Sequence, residues 1–329
     1  MDPDAFLDDL EAKPRYLRDL ATSLRQGVVD RVDLGDVRRV LLTGMGSSRF
    51  AALPIAARLR AGGVDAAAEY ASHGAPHPGG SGALVVGISA SGSTPETVRS
   101  LQARDVAARR LAITNGPGAL VDAADVHLDL AAGVERGGVA CRTFQHTLVL
   151  LLALAGRLLD DGPDVAALVE RAADATEDLL ERRDGWLPRT CEVLEQSPAS
   201  YLLAPAERCS SAEQGALMLR EGPRRPADAC ETGDWLHVDV YLTLPLAYRC
   251  LLFAGSRFDP GVMAWLDERD GACVAVGGAV PGAVHTVRYR HDDDPLVALL
   301  VEVLVPELVA AMWWRAGSGP PAYMPRRTR

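Results

Sequence analysis

The sequence predicts an α/β chain made of two doubly wound parallel-sheet units in tandem, each a three-layer α/β/α arrangement. Three observations predict it. Short apolar strands alternate with helix-like stretches along most of the chain. Twice in the first half a strand runs into a Gly/Ser loop and then a helix: Val40-Leu41-Leu42-Thr43 into Gly44-Met45-Gly46-Ser47-Ser48, and Ala83-Leu84-Val85-Val86-Gly87-Ile88 into Ser89-Ala90-Ser91-Gly92-Ser93-Thr94. A fainter echo, Arg208-Cys209-Ser210-Ser211, places its Ser pair 163 residues after Ser47-Ser48, as an internal duplication would.

Taken in order, residues 5–26 carry Phe6, Leu7, Leu10, Leu17, Leu20 and Leu24 among charges, an amphipathic helix interrupted near Pro14. The first unit follows as strand 39–43, helix 48–60, strand 65–70, strand 83–88, helix 95–108, and strands 110–114 and 126–130. Asn115-Gly116-Pro117-Gly118 is the turn after a strand, at the sheet edge that carries the Gly/Ser loops. A long helix spans about 140–160, and two more fill 163–195 with a break near Asp184-Gly185. The second unit opens at Tyr201-Leu202-Leu203 and continues as strands 249–253, 272–276 and 284–289 with helices 259–268 and 294–314. Domains are therefore expected at 1–160 and 161–329.

The two loops of the first unit carry the functional expectation. Pro95 suits the first turn of a helix and Ser93 or Thr94 its N-cap. A helix N-terminus presents unpaired N–H groups and a partial positive charge, which favour an anion. Hydroxyls add donors and Gly allows close backbone approach, so the pattern reads as a phosphate cradle; tight turns made for structural reasons are the alternative. It is not a P-loop, because no G-K-[ST] follows, nor a dinucleotide fingerprint, because the third Gly is missing. Glu135-Arg136-Gly137-Gly138-Val139-Ala140 fits either close backbone approach at a helix start or a flexible loop.

Composition narrows the classes. With 48% hydrophobic and 24% charged residues, the 329-residue chain suits a soluble protein with room for two cores. A formal charge of −10, with the densest basic run at Arg326-Arg327-Thr328-Arg329, argues against a nucleic-acid partner. The acidic start is no signal peptide, and the apolar run Leu148–Ala155 is too short to span a bilayer, so a cytoplasmic protein with no membrane partner is expected. Six scattered Cys without C-x-x-C spacing read as reduced thiols rather than disulfides or a metal site. Lys13 is the only lysine.

These residues resemble the double-SIS (sugar isomerase) family, nearest in pattern to the isomerase half of glucosamine-6-phosphate synthase, with deglycases and amino-sugar deaminase/isomerases alongside. The resemblance runs nearly end to end. It includes the leader Leu10-Glu11-Ala12-Lys13-Pro14, the Glu135–Ala140 stretch, and Glu213-Gln214-Gly215-Ala216-Leu217-Met218-Leu219-Arg220-Glu221, with His237 sixteen positions after Glu221. It implies that Gly46, Ser47, Ser48, Ser89, Ala90, Ser91, Gly92, Thr94, Gly138 and Val139 hold a phosphorylated sugar or amino sugar. Glu221 would move a proton between C1 and C2, and His237 would assist ring opening from the neighbouring subunit of a homodimer. No metal or organic cofactor is implied. Read without the family, Glu221 is equally a salt-bridge partner at a helix end and His237 a loop histidine.

Two departures stand out. The family's H-G-P is here His237-Val238-Asp239, and the synthase's Schiff-base lysine aligns with Arg326, which stays protonated and forms no imine. No glutaminase domain accompanies the isomerase-like part, so a complete synthase is not expected. The expected function is phosphosugar aldose–ketose isomerisation, or a deaminase or deglycase variant of it. The alternative is a phosphosugar sensor without catalysis.

Overall fold

Two parallel sheets of five strands organise the chain, in a computed structural model that describes residues 1–73, 80–103, 107–160 and 162–317. In chain order the elements are α1 (Pro3–Glu11), α2 (Lys13–Arg25), β1 (Arg39–Gly44), α3 (Ser47–Ala61), β2 (Asp65–Tyr70), β3 (Ala83–Ser89), α4 (Pro95–Gln102), β4 (Arg109–Thr114), α5 (Ala119–Asp122), β5 (Val126–Asp129), α6 (Arg142–Leu159), α7 (Val165–Glu181) and α8 (Arg183–Glu195). The second half continues with β6 (Ser200–Ala204), α9 (Cys209–Glu221), β7 (Ala227–Glu231), α10 (Thr232–Trp235), β8 (Arg249–Phe253), α11 (Asp259–Glu268), β9 (Ala272–Val276), β10 (His285–Val287), α12 (Pro295–Val301) and α13 (Leu304–Arg315). Short 3-10 turns cover Ala206–Arg208 and Asp239–Thr243.

The chain forms two compact units. One, the N-terminal unit, comprises Arg15–Glu135 and Ala140–Ala173; the C-terminal unit comprises Met1–Pro14, Arg136–Val139 and the chain from Asp174. The N-terminal sheet has the order β2-β1-β3-β4-β5, and register is exact enough that Gly44 lies beside Tyr70 and Thr43 beside Gly87. In a sheet of this order the chain reverses direction of winding between β1 and β3, which opens a crevice at the strands' C-terminal ends. Leu41, Val85, Leu101, Ala112 and Leu120 form a buried cluster, and α6 is buried from Arg142 to Ala155.

The C-terminal sheet has the order β7-β6-β8-β9-β10. Counted from its own first strand this is the order of the other sheet, a topological repeat that the sequence shows only as the faint echo at Ser210-Ser211. Its core gathers Leu203, Trp235, Tyr248, Leu252 and Val262. The leader helix α1 packs in this unit: Phe6 lies 5.9 Å from the Trp314 ring, and Gly137 donates to Asp9 at 2.8 Å. Gly137 has no room for a side chain, since a Cβ would stand 2.5 Å from the Phe6 Cα. Lys13 and Glu307 form a fully buried ion pair in the same unit.

Several boundaries differ from expectation. The helix expected over 95–108 is assigned as α4 to Gln102, the one expected over 294–314 divides after Val301, and the break in 163–195 falls at Arg182 rather than at Gly185. The stretch 295–315 is apolar enough to cross a bilayer, longer than the Leu148–Ala155 run, yet 89% of its window is buried inside the protein, as for a core helix pair. All six cysteines are free thiols, four of them buried. Arg326 lies outside the described residues.

Candidate functional site

The two Gly/Ser loops meet at the β1/β3 crevice of the N-terminal unit. Gly44 ends β1 so close to its neighbours that a Cβ would stand 2.8 Å from Ser48 and 3.1 Å from the Ile88 carbonyl. Gly46 then turns with φ +51°, and α3 begins at Ser47 with no side chain capping it. Ser47 and Ser48 are half-buried in its first turn.

The second loop is built from hydroxyls that bind one another. Ser89 Oγ lies 2.8 Å from Thr94 Oγ1 and 3.4 Å from Ser91 Oγ, and Ser93 Oγ donates to Ser91 Oγ at 3.1 Å. Ser89 is buried, Thr94 half-buried and Ser91 exposed, so the cluster leads from the sheet edge outward. Thr94 is the N-cap residue of α4, with Pro95 at the first turn, but its side chain is turned to Ser89 and does not cap the helix. The first N–H groups of α4 are therefore left for another acceptor. The Ala90 carbonyl receives the Asn115 N–H at 3.2 Å, and the Gly92 N–H closes the turn onto Ser89 O at 3.1 Å. That engagement is the physical limit on Gly92 as a backbone donor. Gly92 has φ +65°, and Gly118 packs on it so closely that a Cβ there would be 2.6 Å from the Gly92 carbonyl. The turn after β4 thus braces the loop, as its place at the same sheet edge suggested.

Gly138 and Val139 belong to the other compact unit. Gly138 is exposed with φ +76°, and Val139 is buried. The reason for the Glu135 motif lies beside them in the chain. Glu135 Oε1 accepts the N–H groups of Cys141, Arg142 and Thr143 at 2.7, 2.6 and 3.2 Å, and Oε2 the Thr143 hydroxyl at 2.7 Å. The N-terminus of α6 therefore already holds an internal carboxylate. Arg142, 2% exposed, donates to the carbonyls of Ala132 and Val134 at 2.7 and 2.6 Å and stacks on Tyr16. Sequence reasoning passed over Glu135 and Arg142 as parts of this clamp; the signal was a Glu seven residues before a long helix.

In the C-terminal unit Glu221 is the last residue of α9 and is exposed. The protein around it still desolvates its carboxyl and raises its pKa above the ordinary value, with Arg220 partly opposing. A raised carboxylate pKa is what a proton-transfer base at neutral pH requires. His237 stands two residues beyond α10, exposed, its N–H bonded to Asp234 O at 2.8 Å. The loop that carries it is anchored by Trp235, fully buried, whose indole donates to Tyr248 OH at 2.8 Å. After it, the Val238-Asp239 departure leads into the 3-10 turn at 239–243, held by Arg269 on the Val240 carbonyl at 3.0 Å. Lys13 is wholly enclosed with Glu307, so the chain's one lysine is not presented to a substrate.

Residues 33–157 match the SIS domain family. The isomerizing glutamine–fructose-6-phosphate aminotransferase of Sulfurisphaera tokodaii is 25% identical over 246 residues, 73% of this chain and 41% of that protein. The chain thus matches about two fifths of that relative's length. Among solved structures, tagatose-6-phosphate ketose/aldose isomerase from Escherichia coli superimposes with a TM-score of 0.78 at 17% identity, covering 98% of this chain and 97% of that one. The C-terminal domain of glucosamine-fructose-6-phosphate aminotransferase from Francisella tularensis gives 0.77 at 17% identity, with 94% and 96% covered. The match to the SIS domain covers residues 33–157, and the chain shares its fold with these two solved structures.

Proposed function

We propose that the protein is a phosphosugar aldose–ketose isomerase, or a deaminase or deglycase that uses the same C1/C2 proton transfer. The observation that carries the reading is the hydroxyl cluster of Ser89, Ser91 and Thr94 at the uncapped start of α4, in a chain with this fold. A phosphate monoester would take the free helix N–H groups and the hydroxyls of Ser48, Ser89, Ser91 and Thr94. Glu221, with its raised pKa, would remove the proton beside the carbonyl and return it to the adjacent carbon. His237 would pass a proton during ring opening, entering from the second subunit of a cytoplasmic homodimer. The C-terminal unit would be a second SIS-like doubly wound domain that keeps the fold without the cradle.

The test is incubation with fructose 6-phosphate or fructosamine 6-phosphate in D₂O, with deuterium entry at C1 or C2 followed by NMR. Exchange that disappears in Glu221→Gln supports the enzyme. The Val238-Asp239 departure after His237 favours a second reading, a sensor that binds without catalysis. A thermal shift with these sugars that Ser91→Ala abolishes, without proton exchange, would select it. Neither binding nor exchange would refute both readings for these sugars.

A further inference from the structure

The C-terminal sheet repeats the strand order of the other, so it has its own crevice, between β6 and β8. Arg208, 8% exposed, lies in the turn after β6. Its guanidinium forms an ion pair with Glu302 and donates also to the carbonyl of Ala254, the residue after β8. Glu302, fully buried, follows α12, and its carboxylate faces Ser211 in the first turn of α9. Among the described residues no side chain caps α9, and the neighbouring Ser210 hydroxyl, 1% exposed, has no hydrogen-bond partner. The buried Tyr289 hydroxyl, also without a partner, senses the same carboxylate. Ser210 and Ser211 are the residues that the 163-residue echo aligns with Ser47 and Ser48.

We infer that this crevice is a second oxyanion site whose anion is built in: the Glu302 carboxylate holds the place of a phosphate against Arg208 and the start of α9. The inference goes beyond the proposed function and does not depend on it. In the intact chain the carboxylate keeps this crevice shut to a free oxyanion. Burial pushes the Glu302 carboxyl up to about 7, with Arg208 and Ser211 opposing the rise, so the buried charge is held at a cost. Removing that charge leaves a buried cation, the Ser211 hydroxyl and an uncapped helix N-terminus, the donors that an oxyanion takes.

The test is thermal unfolding against inorganic phosphate, with chloride at matched ionic strength, in a parent carrying Ser89→Ala and Ser91→Ala. With Glu302→Ala added, the melting temperature should rise by several degrees up to about 50 mM phosphate, while the parent moves by less than about one. Adding Arg208→Met should abolish the rise. A folded Glu302→Ala protein that phosphate does not stabilise overturns the inference, as does an equal rise without Arg208. Should Glu302→Ala fail to fold, Glu302→Ser and the phosphate dependence of refolding yield read the same question, and no dependence overturns it. Failure of the first cradle would show separately, as no phosphosugar shift in the protein with Ser89 and Ser91 intact.

Discussion

Replacing Lys13 with Met removes one partner of an ion pair in which both side chains are 0% exposed. The Glu307 carboxylate is then left buried without its cation, a loss that typically costs about 3–5 kcal/mol. For a unit of this size each kcal/mol moves the melting temperature by about 2–4 °C, so a fall of about 6–20 °C is expected for the C-terminal unit. Differential scanning calorimetry, with circular dichroism in urea as a check, measures it. Lys13→Met/Glu307→Leu should recover most of the loss, because a buried ion pair exchanged for apolar groups of like volume is often neutral. A single variant within about 1 kcal/mol of the parent would refute the reasoning, since the Lys13 charge would then not be what stabilises the buried carboxylate. At a temperature where both are folded, Lys13→Met should match the parent in the proposed deuterium exchange. Its loss would point to lysine chemistry that the burial excludes.

Two further predictions concern the site. Glu135→Gln keeps the shape but discards the charge that receives three N–H groups at α6, and should cost about 2–3 kcal/mol, read as a lower denaturation midpoint. In the role proposed for Glu221 the base works ionised, so its raised pKa should set the acid limb of the pH–rate profile, with activity falling as pH drops through a value above the ordinary carboxylate one. A limb at the ordinary carboxylate value would separate Glu221 from the rate-limiting step.

Much of this was legible in the residues, and the exceptions have physical causes. β1 and β3 are unbroken apolar runs bounded by Gly and Ser, so sequence marks both strands and the crevice between them. β7 escaped because Ala227-Asp228-Ala229-Cys230-Glu231 has no β-branched residue; it is an edge strand held by pairing with β6 rather than by propensity. The division of 294–314 was hidden because its apolar pattern continues through Glu302, whose reason for being there is Arg208, 94 residues away. The same blindness applies to α1, whose amphipathic face shows that it packs but not on what. For the site, the hydroxyls were readable one by one, whereas the turning of Thr94 away from its own helix appears only in three dimensions.

The thiols give the fold a chemical quietness. Burial, aided by nearby carboxylates, pushes Cys209 and Cys230 up to about 12, and burial with Glu195 does the same for Cys191. At neutral pH such a thiol is ionised in about one molecule in 10⁵, and only the thiolate attacks an alkylating reagent or a disulfide. Folded chains should therefore meet maleimide or glutathione disulfide with little reaction, although six thiols are present. Whatever labelling occurs at the four buried cysteines times the opening of the structure around each sulfur, so these serve as clocks for local unfolding.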